Sequence, residues 1–314
     1  MDQPLVSIAM CTYNGAVYLR EQLDSLVAQT YPNLEIVVAD DRSSDETIDI
    51  LKEYTERYKN IKFVFYINET NLGYIRNFEK VIGICSGDYI ALCDQDDIWD
   101  KEKINVLMKH IGDHMLIYHD SEFIDDEGRS LGKKVSDIRN CYSGNDPRVF
   151  LFENCVSGHA LLFKADLMKY AGNFKPEIVH DWWLAYAATN AGSICFLNDV
   201  LVKYRQHREA STDILRQKKH LIKYQGSIEK LEKQLAILRL FCSNPFNRFP
   251  EFNDQILKKM EERVDSYFCY SLGWLMFKNR KILLFIQKKS ALSKFNFVLK
   301  YFWGYKLKRL FQKV

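Results

Sequence analysis

Short continuous apolar runs alternate along this chain with stretches in which apolar residues recur every three or four positions. Residues 6–11 (VSIAMC), 35–40 (EIVVAD), 62–67 (KFVFYI), 88–93 (DYIALC) and 115–119 (MLIYH) read as strands. Between them, Leu19, Leu23, Leu26 and Val27 mark one face of a helix that stops before Pro32. Ile48, Leu51 and Thr55 line the next helix, with Ser44 or Asp45 as its cap, and residues 77–84 and 101–111 supply two more. Strands that are apolar on both faces and separated by helices predict an α/β fold with a mostly parallel sheet covered on both sides. In such sheets ligands bind beyond the carboxyl ends of the strands.

The pattern weakens after residue 121. Residues 122–149 are polar and Gly-containing and read as a long surface loop. Residues 159–164 are strand-like, residues 182–191 helical, and two short strands are expected around Ile194 and Val202. Beyond Thr212 long helices take over: Ile214, Leu221, Ile228, Leu235 and Cys242 recur every seven residues, with Tyr224, Leu231 and Leu238 as a companion seam. About four heptads favour a helix packed on its own domain over a dimeric coiled coil, although a homodimer stays open. The expected division is a sheet domain over 1–211 and a helical C-terminal region over 212–314.

Composition changes this picture in one respect. The 314 residues hold 44 Lys plus Arg and 41 Asp plus Glu, a net charge of only +3, but no acidic residue follows Asp265. Residues 266–314 carry 11 basic side chains, which leaves 33 basic against 41 acidic ones before them, a net of −8. An acidic body thus precedes a basic tail. With 47% hydrophobic residues, disorder and collagen-like repeats are excluded. No signal-like N-terminal segment and no membrane-spanning apolar run is present. Eight scattered cysteines without metal-ligand spacing read as reduced thiols, which points to a cytoplasmic protein.

Candidate chemistry lies at the predicted strand ends. Asp94, Asp96 and Asp97 gather three carboxylates in four residues, where they repel one another unless a cation is bound. An Asp-x-Asp pair suits Mg²⁺ or Mn²⁺, which shares its coordination with substrate phosphates. The plain alternative is a solvated turn with Asp97 or Asp100 as a helix cap. The run Asp40-Asp41-Arg42-Ser43-Ser44-Asp45 would lie on the same sheet edge, where a carboxylate can accept the imide N–H of uracil or thymine. Cys11-Thr12-Tyr13 ends the first strand, with an aromatic and a hydroxyl able to bracket a base.

In order and placement, SIAMCTYNG, EIVVADDRSSDET, NLGYIRNF, GDYIALCDQDDIW, SGHALLF, HDWWLAY and YRQH resemble glycosyltransferase family 2, the inverting group with the GT-A (Rossmann-like) fold, over roughly residues 5–207. Within it the set looks most like bacterial rhamnosyltransferase-type enzymes of surface polysaccharide synthesis. The resemblance implies that Cys11, Thr12, Tyr13 and Asp41 hold the base, that Arg76 contacts base or phosphates, and that Asp94 faces the ribose. It implies Asp96 as principal metal ligand, with His207 beside the metal or diphosphate, and Asp97 orienting Asp96 or reaching the donor sugar. Asp181 takes the position of the catalytic base; His180 stands where an acidic neighbour is more frequent, which leaves one carboxylate. Trp182 and Trp183 would stack on sugar rings or lower the local polarity; capping of a helix by Asp181 is the plain alternative. Gly158 and His159 match the acceptor side of the pocket. Arg208-Glu209-Ala210-Ser211 lacks the Gly and Asn often found after the histidine, so the loop there would differ.

The implied reaction moves a sugar, L-rhamnose from dTDP-L-rhamnose in the first reading and a hexose from UDP in the second, to a glycan or lipid-linked glycan hydroxyl. A sugar nucleotidyltransferase is disfavoured, because CTYNGAVYLREQ is no Gly-rich triphosphate loop. A non-catalytic carbohydrate-binding protein of the same fold is the third alternative. The tail interleaves aromatics with Lys and Arg without a nucleic-acid module, so an anionic membrane surface at the cytoplasmic face, met through residues 266–314, is the partner expected of it, with a helix docked on the enzyme as the alternative.

Overall fold

The computed structural model describes residues 3–207 and 227–307. Ile214, Leu221, Tyr224, the side chain of Ile228, residues 208–211 and Lys308, Arg309 and Lys313 lie outside the described residues. The chain divides into two compact units. The first comprises Met1–Ile138, Ser143–Asn145 and Val156–Leu215; the second comprises Arg139–Tyr142, Asp146–Cys155 and Arg216–Val314.

The first unit opens with β1 (Val6–Thr12), α1 (Ala16–Val27), β2 (Leu34–Asp40), α2 (Thr47–Arg57), β3 (Lys62–Ile67), α3 (Tyr74–Ile84) and β4 (Tyr89–Cys93). These four strands are parallel, in the order β3-β2-β1-β4, so all their carboxyl ends share one edge. Val6, Ile8, Met10, Ile36, Val38 and Ala91 are fully buried between the helix layers, as their two-sided apolar runs require. The buried face of α2 is Thr47, Ile50, Leu51 and Tyr54, rotated from the expected Ile48, Leu51 and Thr55. The Tyr54 ring fills the inner position, and its hydroxyl reaches out to Asp24 at 2.6 Å.

The remainder is β5 (Ile98–Trp99), α4 (Lys103–His110), β6 (Leu116–Ile124), β7 (Ser130–Lys134), α5 (Val135–Ile138), β8 (Leu161–Lys164), α6 (Met168–Ala171), α7 (His180–Ala191) and β9 (Ile194–Arg205). They extend the sheet as β4-β8-β6-β9-β5, with β7 on β6; β8 runs antiparallel to both neighbours and β9 parallel to β6. Two expectations are corrected here. Residues 122–149 are not one loop: β6 continues to Ile124 and turns into β7, an almost wholly exposed edge strand whose polar sequence gives no periodic signal. The two strands around Ile194 and Val202 are one, β9, whose pairing with consecutive β6 residues His119 and Asp120 jumps from Leu197 to Val200, so polar Asn198 and Asp199 sit in the irregularity that separated them in the sequence.

The second unit holds α8 (Ser227–Ser243), α9 (Pro250–Glu262), α10 (Tyr270–Lys278), α11 (Arg280–Leu283) and α12 (Ala291–Leu299). Leu231, Leu235 and Leu238 of the heptad seam are buried in this unit, where α8 packs on α9. The Arg263 guanidinium is also buried; its Nε donates to Trp303 O at 2.9 Å and its Nη2 to Lys300 O at 2.5 Å, and it lies 4.8 Å from the Tyr301 ring centre.

Candidate active site

The parallel half of the sheet brings the ends of β1, β2 and β4 together. After β2, every acidic side chain of the run is held by hydrogen bonds from the protein. Asp40 accepts from Thr12 Oγ1 (2.8 Å), Ser43 N (2.8 Å) and Ser43 Oγ (2.6 Å). Asp45 accepts from Thr47 N (3.1 Å) and Ala16 N (3.0 Å), so one carboxylate serves the first turns of α2 and α1 together. Asp41, 3% exposed, accepts from Asn68 Nδ2 (2.8 Å), Leu72 N (2.7 Å) and Gly73 N (2.8 Å). This fixes the turn into α3, where Gly73 has φ +76°, a conformation that a side chain disfavours.

On β1, Thr12 is buried by its bond to Asp40, while Tyr13 is half exposed. Gln95 Oε1 accepts from Tyr13 N (2.8 Å) and Gln95 Nε2 donates to Tyr13 O (3.1 Å), tying the β1 end to the acidic turn. The Cys11 thiol is pushed well up, by enclosure first and then by the charges of Asp94 and Asp41. Arg76, in the first turn of α3, has its guanidinium on Glu79 Oε2 (2.5 Å), and no contact links it to the acidic turn among the described residues.

The turn after β4 is built differently. The Asp94 carboxylate has no hydrogen-bond donor among the described residues and is 40% exposed. Enclosure, then the charges of Asp96 and Asp181, push it upward. Asp97 is fully buried: Oδ1 accepts from Arg205 N (2.9 Å), whereas Oδ2 has no hydrogen-bond partner among the described residues. Burial, followed by the charges of Asp96 and Asp94, drives Asp97 upward as well. Asp96 Oδ2 lies 2.9 Å from His207 Nε2, at the end of β9. His159 is buried with Nε2 at 2.9 Å from Ser121 Oγ, which leaves Nδ1 facing Asp97 Oδ2 (3.7 Å) and Asp94 Oδ2 (3.9 Å). Burial, then Lys103, holds this imidazole down at about 3, so it is neutral. Donor atoms of Asp94, Asp97 and His159 all lie within 4.8 Å of one another, a group that could hold a metal ion.

Two cations that brace this turn escaped the sequence reading. Lys103, at the start of α4, is fully buried, with Nζ at 2.6 Å from His159 O and 3.1 Å from the Trp99 ring centre. Burial lowers it to about 7 against the opposing pull of Cys93, Asp97 and Asp94. Arg205 is 1% exposed; its guanidinium donates to Asp96 O (2.8 Å) and Asp126 O (3.0 Å), pairs with Glu21, and lies 4.6 Å from the Tyr18 ring centre. Arg205 belongs to the YRQH run, two positions before His207, and that proximity was the available signal. Lys103 had none, because Asp100-Lys101-Glu102-Lys103 reads as an ordinary charged helix start.

Asp181 lies in the first turn of α7, where the helix dipole favours negative charge. Gly158 N donates to its Oδ2 at 3.2 Å. A Cβ on Gly158 would stand 3.1 Å from His180 Nε2, so the glycine permits this approach. His180 is buried against Phe78 (ring centres 4.2 Å apart), neither ring nitrogen has a hydrogen-bond partner among the described residues, and burial lowers it to about 3. Trp183 is buried with its indole N–H on Ala171 O (2.9 Å), while Trp182 is half-buried. Tyr74 joins this wall: its phenol is pushed up by burial and then by the Asp181 charge. Asp94, Asp96, Asp97, His159, His207, Gly158 and Asp181 therefore converge on one edge of the sheet.

Comparison with known proteins agrees with this architecture. The family model described as glycosyl transferase family 2 matches residues 7–170. An uncharacterized glycosyltransferase of Rickettsia typhi is 32% identical over 244 residues, 75% of this chain and 75% of its own length. One from Haemophilus influenzae is 30% identical over 227 residues, 67% of this chain and 68% of its own. Among solved structures, Staphylococcus aureus TarS 1–349 in complex with UDP-GlcNAc covers 95% of this chain and 81% of that one, with a TM-score of 0.59 and 18% identity. The mannosyltransferase PcManGT of Pyrobaculum calidifontis, in complex with GDP-Man and Mn²⁺, covers 96% and 80%, with a TM-score of 0.54 and 14% identity. The shared fold is the GT-A arrangement of strands and helices.

Proposed function

This chain belongs to glycosyl transferase family 2 and is a glycosyltransferase, and on that premise we propose that it transfers a sugar from a nucleoside diphosphate donor to a glycan or lipid-linked glycan hydroxyl, with inversion at the anomeric carbon. The observation that carries this reading is the position of Asp181, held by Gly158 N and close enough to the acidic turn for its charge to act on Asp94. Asp181 takes the proton of the acceptor hydroxyl as that oxygen bonds to the anomeric carbon and the bond to the diphosphate oxygen breaks. The neutral, buried His180 behind it offers no competing charge. Trp182, the half-buried member of the pair, meets a sugar face, while Trp183, Asp97 and His159 support the wall from within.

On the donor side Cys11, Thr12, Tyr13 and Asp41 surround the base, Arg76 contacts base or phosphate, and Asp94 faces the ribose. Asp96 and His207 hold Mg²⁺ or Mn²⁺; an imidazole nitrogen 2.9 Å from a carboxylate oxygen suits such an ion, and the group of Asp94, Asp97 and His159 is the adjoining alternative. When bound, the ion offsets charge on the departing diphosphate. The first reading of the donor is dTDP-L-rhamnose, whose β anomer gives an α-L-rhamnoside on inversion. A UDP-hexose is the second, favoured by the UDP-GlcNAc complex of a chain with this fold. A cytoplasmic position at the inner face of the membrane, where lipid-linked acceptors are met, belongs to the same proposal, as does a sheet domain ending near residue 211.

Asp181→Asn tests the reading. Turnover should fall roughly 10² to 10⁴-fold while affinity for the nucleoside diphosphate, measured by calorimetry, stays within about twofold. Undiminished turnover would remove Asp181 from the base role.

A further inference from the structure

The second unit turns an apolar face outward. Helix α12 carries Leu292, Phe295 and Leu299 at positions i, i+3 and i+7, the spacing of a stripe that normally packs inward. They are 70%, 43% and 38% exposed, and only Val298 of this helix is buried. On α10, Tyr270 and Trp274 are one turn apart and 67% and 53% exposed, opposite the buried Leu272, Gly273 and Met276. Ring contacts join the pieces: Phe277 lies 6.3 Å from Phe295 and 5.6 Å from Trp274, and Phe268 lies 5.8 Å from Tyr270 and 5.4 Å from Trp303. An exposed patch of this kind marks an interaction surface.

Its charge decides what it fits. Residues 266–307 contain eight Lys and Arg and no acidic side chain. Lys278 Nζ lies 5.5 Å from the Trp274 ring centre and the Arg280 guanidinium 4.3 Å from that of Phe277, so cations stand at the border of the aromatic face. No helix among the described residues is long and apolar enough to cross a membrane. Trp, Tyr and Phe beside lysines match the boundary between acyl chains and anionic headgroups, where rings enter the apolar layer and ammonium groups meet phosphate. We infer that the outward face of α10, α12 and the turn that follows α12, centred on Trp274, Phe295 and Trp303, docks flat on an anionic lipid bilayer. Docking through this surface depends on the identity of neither donor nor acceptor.

Vesicle sedimentation of the full chain, without nucleotide or sugar, tests the inference. Vesicles of phosphatidylcholine alone are compared with vesicles in which phosphatidylglycerol replaces about a third of it. The anionic vesicles should bind at least about tenfold more tightly, and the difference should shrink at raised salt. Trp274→Ser with Trp303→Ser should weaken binding about tenfold or more. Lys278→Gln, Lys281→Gln and Lys300→Gln together should remove roughly 10²-fold of the preference for anionic lipid. Sugar transfer to a soluble acceptor should stay unchanged in every variant, which also certifies their folding and separates this test from that of Asp181. Equal partitioning to both vesicle types would overturn the inference. So would salt-sensitive binding indifferent to the tryptophan pair, the mark of a soluble polyanion partner, or a dimer dissolved by the tryptophan changes with no vesicle binding.

Discussion

Two acidic runs, after β2 and after β4 with β1 between them, stand at the carboxyl edge of the sheet, and they are built on opposite principles. In residues 40–45 the carboxylates of Asp40, Asp41 and Asp45 receive hydrogen bonds from Thr12, Ser43, Asn68, Leu72, Gly73, Ala16 and Thr47. They spend their charge on loop and helix ends. In residues 94–97, among the described residues, Asp94 has no donor and Asp97 Oδ2 is buried without one, and burial and mutual repulsion push both toward the protonated form. A satisfied carboxylate organises the chain, whereas an unsatisfied cluster stores unfavourable charge that a cation and a nucleotide can relieve. The first run therefore orders the loops that flank the second, and Asp41 would meet the base from within that order.

The comparison can be broken most sharply at Asp96. Asp96→Ala should weaken metal-dependent nucleotide binding and turnover by roughly 10² to 10³-fold with little change in melting temperature. If His159→Ala does this and Asp96→Ala does not, the ion belongs to the group of Asp94, Asp97 and His159. A smaller and opposite-sided effect is expected at Asp41. Asp41→Ala strands Leu72 N and removes one of two acceptors from Gly73 N and from Asn68 Nδ2, and should cost about 1–3 kcal/mol in denaturant unfolding. Asp94→Asn should leave stability unchanged or raise it by about 1 kcal/mol, because it removes repulsion at a site selected for function. Equal losses of stability from the two substitutions would erase the distinction drawn between the runs.

Glu35 extends the satisfied class to the other end of β2 and gives it a pH signature. Burial opposes its ionisation, but the Lys62 ammonium and hydrogen bonds from Ser7, Ser86 N (2.6 Å) and Ser86 Oγ (2.9 Å) prevail and bring it down to about 2. A folded-state value below the unfolded one contributes stability that is present above the unfolded value of 4.5 and lost as pH falls toward 2. Glu35→Gln should flatten the acid limb of the stability profile between about pH 4.5 and 2, by on the order of 2–3 kcal/mol. Among the satisfied carboxylates the smallest loss belongs to Asp45→Ala, about 1 kcal/mol for the loss of a shared cap, read from thermal unfolding.

Much of the first unit was legible because its parallel strands are buried on both faces, so EIVVAD and SIAMCT carry the fold in continuous apolar runs. Strand β7 was not, because an exposed edge strand needs no apolar residue. The rotation of α2 was missed for a different reason: Tyr54 can be buried as a ring while its hydroxyl stays bonded at the margin. At the site, Asp94 and Asp96 were marked by residue type and strand-end position, and His207 and Asp181 by the family resemblance. Lys103 and Arg205 were not, because a lysine or arginine in sequence looks solvent-facing until the acids it braces are in place.

What the sequence determined by itself was the α/β alternation, the edge on which the acids gather, and the concentration of positive charge after residue 265, since each follows from local periodicity or from counting. Only the tertiary structure decided which carboxylates are satisfied. A hydrogen bond to Asp41 comes from residues 27 to 32 positions away, and the link between Gly158 and Asp181 spans 23. It also decided that the stripe of Leu292, Phe295 and Leu299 faces out rather than in. Periodicity states that a helix has two sides, and packing alone chooses which of them meets water.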